Sequence, residues 1–170
     1  MKYIKYALIA MIIAFIGFFI YSEQFSDPLG DGDANILFPN IDIHLKMIHH
    51  KDFAGFGKDF FDIYVYKAYN ASIENAYPQF GYEWSYARID STAATSTWLR
   101  CPVDSATLVK YEFELDAIIR NDYGKYKFLR GLLMNERNYY SYVFIDSHEK
   151  YFFLYESEKN YLYYIRQRGF

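Results

Sequence analysis

Cys101 is the only cysteine in a chain of 170 residues. A thiol becomes a nucleophile only where a neighbouring base or charge favours its thiolate. His44, His49, His50 and His148 are the histidines that could serve as that base. The surrounding residues, Trp98-Leu99-Arg100-Cys101-Pro102, match no catalytic signature, so the expected role of Cys101 is that of a small buried hydrophobe. One cysteine also rules out an intrachain disulfide.

His44, His49 and His50 are close enough in sequence to suggest a metal site, but adjacent residues on a strand point to opposite faces. No carboxylate or thiolate spacing completes a ligand set around them. Asp31-Gly32-Asp33-Ala34-Asn35 opens like a calcium loop, with Asp42 at the twelfth position. Ile36 stands where that loop needs glycine, and Phe38-Pro39 interrupts the remainder, so a solvated linker is expected. Glu112, Glu114 and Asp116 would share one face of a strand, an arrangement open to acid–base work on glycosides. They are equally the polar side of an alternating strand. With no nucleophile-elbow or phosphate-cradling glycine motif present, no catalytic residue, metal or cofactor is expected.

Aromatic residues are the other chemical resource. The chain holds 20 Tyr and 16 Phe, too many for a domain of this size to bury completely, so some should line an interface. Phe53-Ala54-Gly55-Phe56-Gly57 reads as a loop that either presents its phenylalanines or tucks them under the core. Phe53 and Phe56, with Tyr64 and Tyr66 on the following strand, are the expected partner-binding residues. Asn70-Ala71-Ser72 is a glycosylation sequon, meaningful only in a eukaryotic secretory pathway.

The elements that must position these residues are strands for the most part. Tyr139–Ile145, Tyr151–Tyr155 and Tyr161–Ile165 are aromatic and β-branched runs separated by polar turns, the pattern of a three-stranded antiparallel meander. Asp62–Tyr69 and Ile41–Met47 add two strands. In the latter Ile41, Ile43, Leu45 and Met47 face one way, and Asp42, His44 and Lys46 the other. Val109–Ala117 alternates strictly and is read as a strand, although Leu108, Tyr111, Leu115 and Ile118 would align on a helix. Tyr123–Glu136, capped by Asn121 or Asp122, is the helix of the domain, with Phe128, Leu129, Leu132 and Leu133 as its apolar stripe and Gly131 as its weak point. A short helical turn is expected after Asn70. The fold class is therefore α+β: an antiparallel sheet with a C-terminal meander and one or two packed helices.

Ahead of this domain lies an apolar segment. Tyr6 through Tyr21 contains no charge and no proline, and spans about 24 Å as a helix, short for a hydrocarbon core of about 30 Å. Tyr3, Tyr6 and Tyr21 occupy interfacial positions, and Lys5 can snorkel. A cleaved signal peptide would begin in the same way, but no small-x-small cleavage site follows. Lys2 and Lys5 precede the segment, and Glu23, Asp27, Asp31 and Asp33 follow it. The positive-inside rule then places the N-terminus in the cytoplasm and the domain outside, on the inner membrane. The expected organisation is a single-pass transmembrane anchor over 1–22, a breaker-rich linker over 23–34 and one extracytoplasmic domain over 35–170.

With Lys2 and Lys5 set apart, 16 basic residues face 21 acidic ones, a domain balance of −5. No basic stripe is evident along the chain, so nucleic acid is not an expected partner, and the acidic balance favours a protein partner that is itself basic. The expectation is a membrane-anchored, protein-binding domain without catalysis, immunity-like or envelope-associated. Two alternatives stand beside it. One is a peptidoglycan-directed envelope hydrolase. The other is a subunit of a membrane complex, assembled through Ala7, Ala10, Ala14 and Gly17.

Overall fold

The computed structural model describes residues 2–25, 27–29, 31–38, 42–54, 60–71, 73, 83–84, 87–88, 93–104, 106, 127–146 and 149–169. The element order begins with helix α1 (Lys2–Phe25), helix α2 (Asp31–Leu37) and the two long strands β1 (His44–Ala54) and β2 (Phe60–Tyr69). Four two-residue strands follow: β3 (Glu83–Trp84), β4 (Ala87–Arg88), β5 (Ala94–Thr95) and β6 (Leu99–Arg100). Helix α3 (Lys127–Met134) and the meander β7 (Tyr139–Phe144), β8 (Glu149–Glu156) and β9 (Tyr161–Arg168) complete the set.

Seven of the strands form one antiparallel sheet in the order β1-β2-β9-β8-β7-β5, with β6 also pairing to β7. The mixed α+β class and the C-terminal meander stand as expected. Only the sheet order joins the expected pieces, because β9 closes the meander against β2 from the other half of the chain. The expected strand over Val109–Ala117 lies outside the described residues. So do the proposed cap at Asn121 or Asp122 and most of the turn after Asn70.

Both faces of the sheet are covered, which explains why its central strands are apolar on both sides. On the first face Tyr66, Phe153, Tyr155, Leu162 and Tyr164 pack beneath Leu29, Ala34, Leu37, Phe38 and Trp98. Phe38 stacks on Trp98 with ring centroids 5.4 Å apart, and Trp98 Nε1 donates to the Leu37 carbonyl at 2.7 Å. On the second face Ile63, Val65, Phe152, Leu154, Tyr163 and Ile165 meet Cys101, Val103, Leu129 and Leu133. The α3 stripe is narrower than its sequence suggests. Leu129 and Leu133 are buried, but Phe128 remains 45% exposed and rests its ring beside Tyr163.

Two expected loops are regular structure instead. The calcium-like segment beginning at Asp31 is helix α2, because Ala34, Leu37 and Phe38 are drawn onto the sheet and their burial outweighs the local turn residues. The expected linker over 23–34 is correspondingly short, with α1 continuing to Phe25. Its centre is docked: Tyr66 Oη donates to Asp27 Oδ1 at 2.7 Å, the Leu29 amide donates to the same oxygen at 3.0 Å, and Leu29 is buried. Likewise β1 runs on through Phe53 and Ala54, where a loop was expected.

Along α1 every described side chain, from Tyr6 to Phe18, is exposed. That stretch is shorter than the roughly 20 apolar residues a crossing takes. Among the described residues, no helix is long and apolar enough to cross a membrane.

Removing a ring from the middle of the sheet should cost far more than removing one from its rim. Phe153→Ala is expected to lose about 3–5 kcal/mol in urea unfolding, the usual cost of emptying a buried phenylalanine site. Phe128→Ala, at an exposed position, should change the midpoint little.

Candidate functional site

The first face of the sheet changes character along its strands. Reading the register across, Met47, Tyr66, Leu162, Tyr155 and Tyr139 form one row, and His50, Tyr64, Tyr164, Phe153 and Ser141 the next. The third row brings Asp62, Arg166, Tyr151 and Val143 side by side, and the fourth pairs Arg168 with Glu149. An apolar floor thus passes into a buried polar cluster within about three strand steps.

In that cluster the Asp62 carboxylate is the hub. Arg166 Nη2 donates to Asp62 Oδ2 and, at 2.9 Å, to Tyr64 Oη, while Tyr64 Oη donates to Asp62 Oδ2 at 3.4 Å. The Arg166 guanidinium also lies 4.9 Å from the Tyr64 ring centroid. The His50 imidazole stacks on the same tyrosine at 4.1 Å, its plane 8° from that of Tyr64. His50 Nε2 sits 4.0 Å from Asp62 Oδ1, an ionic distance rather than a hydrogen bond. A second carboxylate, Glu149, accepts from Tyr151 Oη and has Arg168 Nε at 3.7 Å.

Burial sets the protonation chemistry here. Burial is the largest influence on the Tyr151 phenol and raises its pKa, with Tyr164 and the Glu149 hydrogen bond acting in the same direction. Tyr66 is raised by burial and by Asp27, and Tyr163 by burial and by Glu156, whose Oε2 accepts its hydroxyl at 2.8 Å. Burial works against the Arg166 cation, yet Tyr164, Tyr64 and Asp62 more than offset it and hold the guanidinium above its ordinary value. These phenols are therefore fixed hydrogen-bond donors at neutral pH. Each described carboxylate of the cluster is matched by an arginine.

The two carboxylates are poorly placed to work as a pair. Asp62 and Glu149 belong to strands separated by β9 and stand two residues out of step. At the strand spacings of a sheet, their backbones are roughly 12 Å apart. Glu112, Glu114 and Asp116 lie outside the described residues.

The thiol does no better. Cys101 is buried on the second face, and burial pushes its pKa up to about 12, so it stays protonated at neutral pH. His44, His49 and His50 belong to β1, at the opposite edge of the sheet from β6. Five strand spacings, roughly 24 Å, separate the two edges. His148 lies outside the described residues. Among the described residues, no group of three or more His, Cys, Asp or Glu side chains is placed to hold a metal ion.

Of the residues expected to meet a partner, Tyr64 and Tyr66 are only 3% and 0% exposed. The register of β2 against β9 turns both onto the covered face, where their hydroxyls are taken up by Asp62, Arg166 and Asp27. Phe53 is a residue of β1, and Phe56 lies outside the described residues. The cluster residues that the sequence did not single out, Arg166, Arg168 and Glu149, sit at strand ends that read locally as polar turn flanks.

No family model, curated protein or solved structure matches the chain.

The Asp62–Arg166 pair is buried, with side-chain exposures of 6% and 14%. Arg166→Met alone would strand the Asp62 charge and should cost about 3–5 kcal/mol in urea unfolding, whereas Asp62→Leu combined with Arg166→Met should recover most of it. The tyrosines give a second expectation. Above pH of about 10 the unfolded chain releases phenolic protons that folded Tyr66, Tyr151 and Tyr163 keep. Unfolded protein then binds fewer protons than folded, so stability falls as pH rises, by up to about 1.4 kcal/mol per pH unit for each such tyrosine. Urea midpoints between pH 8 and 11 should drop accordingly, and Tyr151→Phe should flatten the decline.

Proposed function

We propose that the chain is a membrane-anchored, extracytoplasmic domain that binds a protein partner, immunity-like or envelope-associated, and performs no catalysis. The observation that carries the anchoring is the state of α1. Tyr6, Leu8, Ile9, Met11, Ile12, Ile13, Phe15, Ile16 and Phe18 are each more than half exposed, and they lie on all sides of the helix. A helix that is apolar all round is stable only when something apolar surrounds it, and a bilayer does so. Beyond Phe18 the sequence stays uncharged to Tyr21, which extends the apolar length toward a crossing. Lys2 and Lys5 ahead of the helix favour a cytoplasmic N-terminus.

Binding is favoured over catalysis by what the sheet does with its reactive groups. The thiol is buried and protonated, and both cluster carboxylates are engaged by arginine and tyrosine. A peptidoglycan-directed hydrolase would need such groups open to substrate.

Expressed at full length in a bacterial host, the protein should remain in the membrane fraction through alkaline carbonate and leave it only with detergent. Protease added to spheroplasts should digest the domain. Release by carbonate would remove the anchor, and complete protection would reverse the orientation.

A further inference from the structure

The edge strand β1 carries a feature that its sequence conceals. Strict alternation from His44 would bring Lys46, Ile48 and His50 to one side. Instead the register slips between Met47 and His49, leaving Ile48 without a counterpart on β2. After the slip His49 stands opposite Val65 and Lys51 opposite Ile63, just as Lys46 stands opposite Lys67 and His44 opposite Tyr69. Ile63, Val65, Lys67 and Tyr69 share the second face of β2. The bulge therefore gathers His44, Lys46, His49 and Lys51 onto one face, and sends His50 to the other, onto Tyr64.

All four gathered residues are exposed, and Ile48 beside them is 47% exposed. The one described carboxylate side chain of β1 and β2, Asp62, lies on the opposite face. The result is a strip of two lysines and two histidines running along an edge strand for about 24 Å. It sits on a domain whose net charge is −5. At physiological salt, charges more than about 8 Å away are largely screened, so the local sign of the strip, not the net charge, governs contact.

Resting on the reading of this domain as a protein-binding one, we infer that the exposed face of β1 receives an acidic, extended segment of the partner protein, its carboxylates meeting His44, Lys46, His49 and Lys51. An extended occupant fits because the four groups follow one another along a strand, close to the spacing of same-face side chains on another strand. A bilayer surface fits less well. Asp27, two residues beyond α1, is held at Tyr66 in the row of Met47, while the strip continues past that row toward Lys51. The register slips at Met47/His49 and Asp52/Ala54 oppose a long backbone ladder, so side-chain charge pairs would carry the recognition.

The test uses the full chain in nanodiscs of zwitterionic lipid, with fluorescent peptides of four Glu-Thr or four Gln-Thr repeats as probes. The Glu peptide should bind at least ten-fold more tightly than the Gln peptide, and raising salt from 50 to 300 mM should weaken it several-fold. K46E/K51E should abolish the preference, whereas Arg137→Glu, an exposed charge change on the turn before β7, should leave it intact. Equal binding of the two peptides, no detectable binding of either, or an unchanged K46E/K51E variant would overturn the inference. So would competition by phosphatidylglycerol vesicles that Arg137→Glu weakens as much as K46E/K51E does. The broader reading is separated by passing envelope extract over wild type and K46E/K51E. A wild type that retains nothing counts against protein binding itself, while equal retention by both counts against the strip alone.

Discussion

The pairing of β9 between β2 and β8 is the constraint on which the rest depends. Each residue of β9 has a counterpart on both sides, so one register fixes the parity of three strands at once. A slip by a single residue would exchange the two faces and drive Arg166 into the apolar layer under α3. The Asp62–Arg166 pair acts against that slip. It is worth little as net stability, since both ions are taken out of water, but it makes wrong registers costly by stranding a charge in each. Specificity of alignment is thus its contribution, while Tyr164, Phe153 and their neighbours supply the burial.

Much of the sheet could be read from local pattern. The three C-terminal runs, the polar turns between them and the strand ending at Tyr69 all carry aromatic and β-branched residues at the right lengths, and the structure places strands there. The inward set Ile43, Leu45 and Met47 followed from alternation alone. Beyond Met47 the strand continues through a bulge at Ile48, which adds a residue without a glycine or proline to announce it. The linker reading failed at Asp31–Leu37, where short-range turn chemistry lost to burial of Leu37 and Phe38.

The cluster was less legible, for a reason of topology rather than propensity. Asp62 and Arg166 are 104 residues apart, and nothing in either neighbourhood names the other. Tyr64 and Tyr66 were readable as a pair on one face of a strand. Whether that face met water or Leu29, Phe38 and Trp98 depended on segments folding back from the N-terminal side and from the middle of the chain. Composition raised the right question about tyrosine and could not locate the answer. Among the described rings, those of Tyr64, Tyr66, Tyr151 and Tyr163 serve as buried donors with their hydroxyls engaged.

Under the anchored reading proposed above, the docking of Asp27 and Leu29 would set how far the domain can travel. A free twelve-residue tether would let it roam to about 40 Å from its root. Held two residues beyond the end of α1, by a hydroxyl and a leucine, it behaves as a fixed bracket and not as a swinging lure. With α1 in a bilayer, such a bracket trades search volume for orientation. So placed, it would meet what arrives close to the surface, and meet it with the same side.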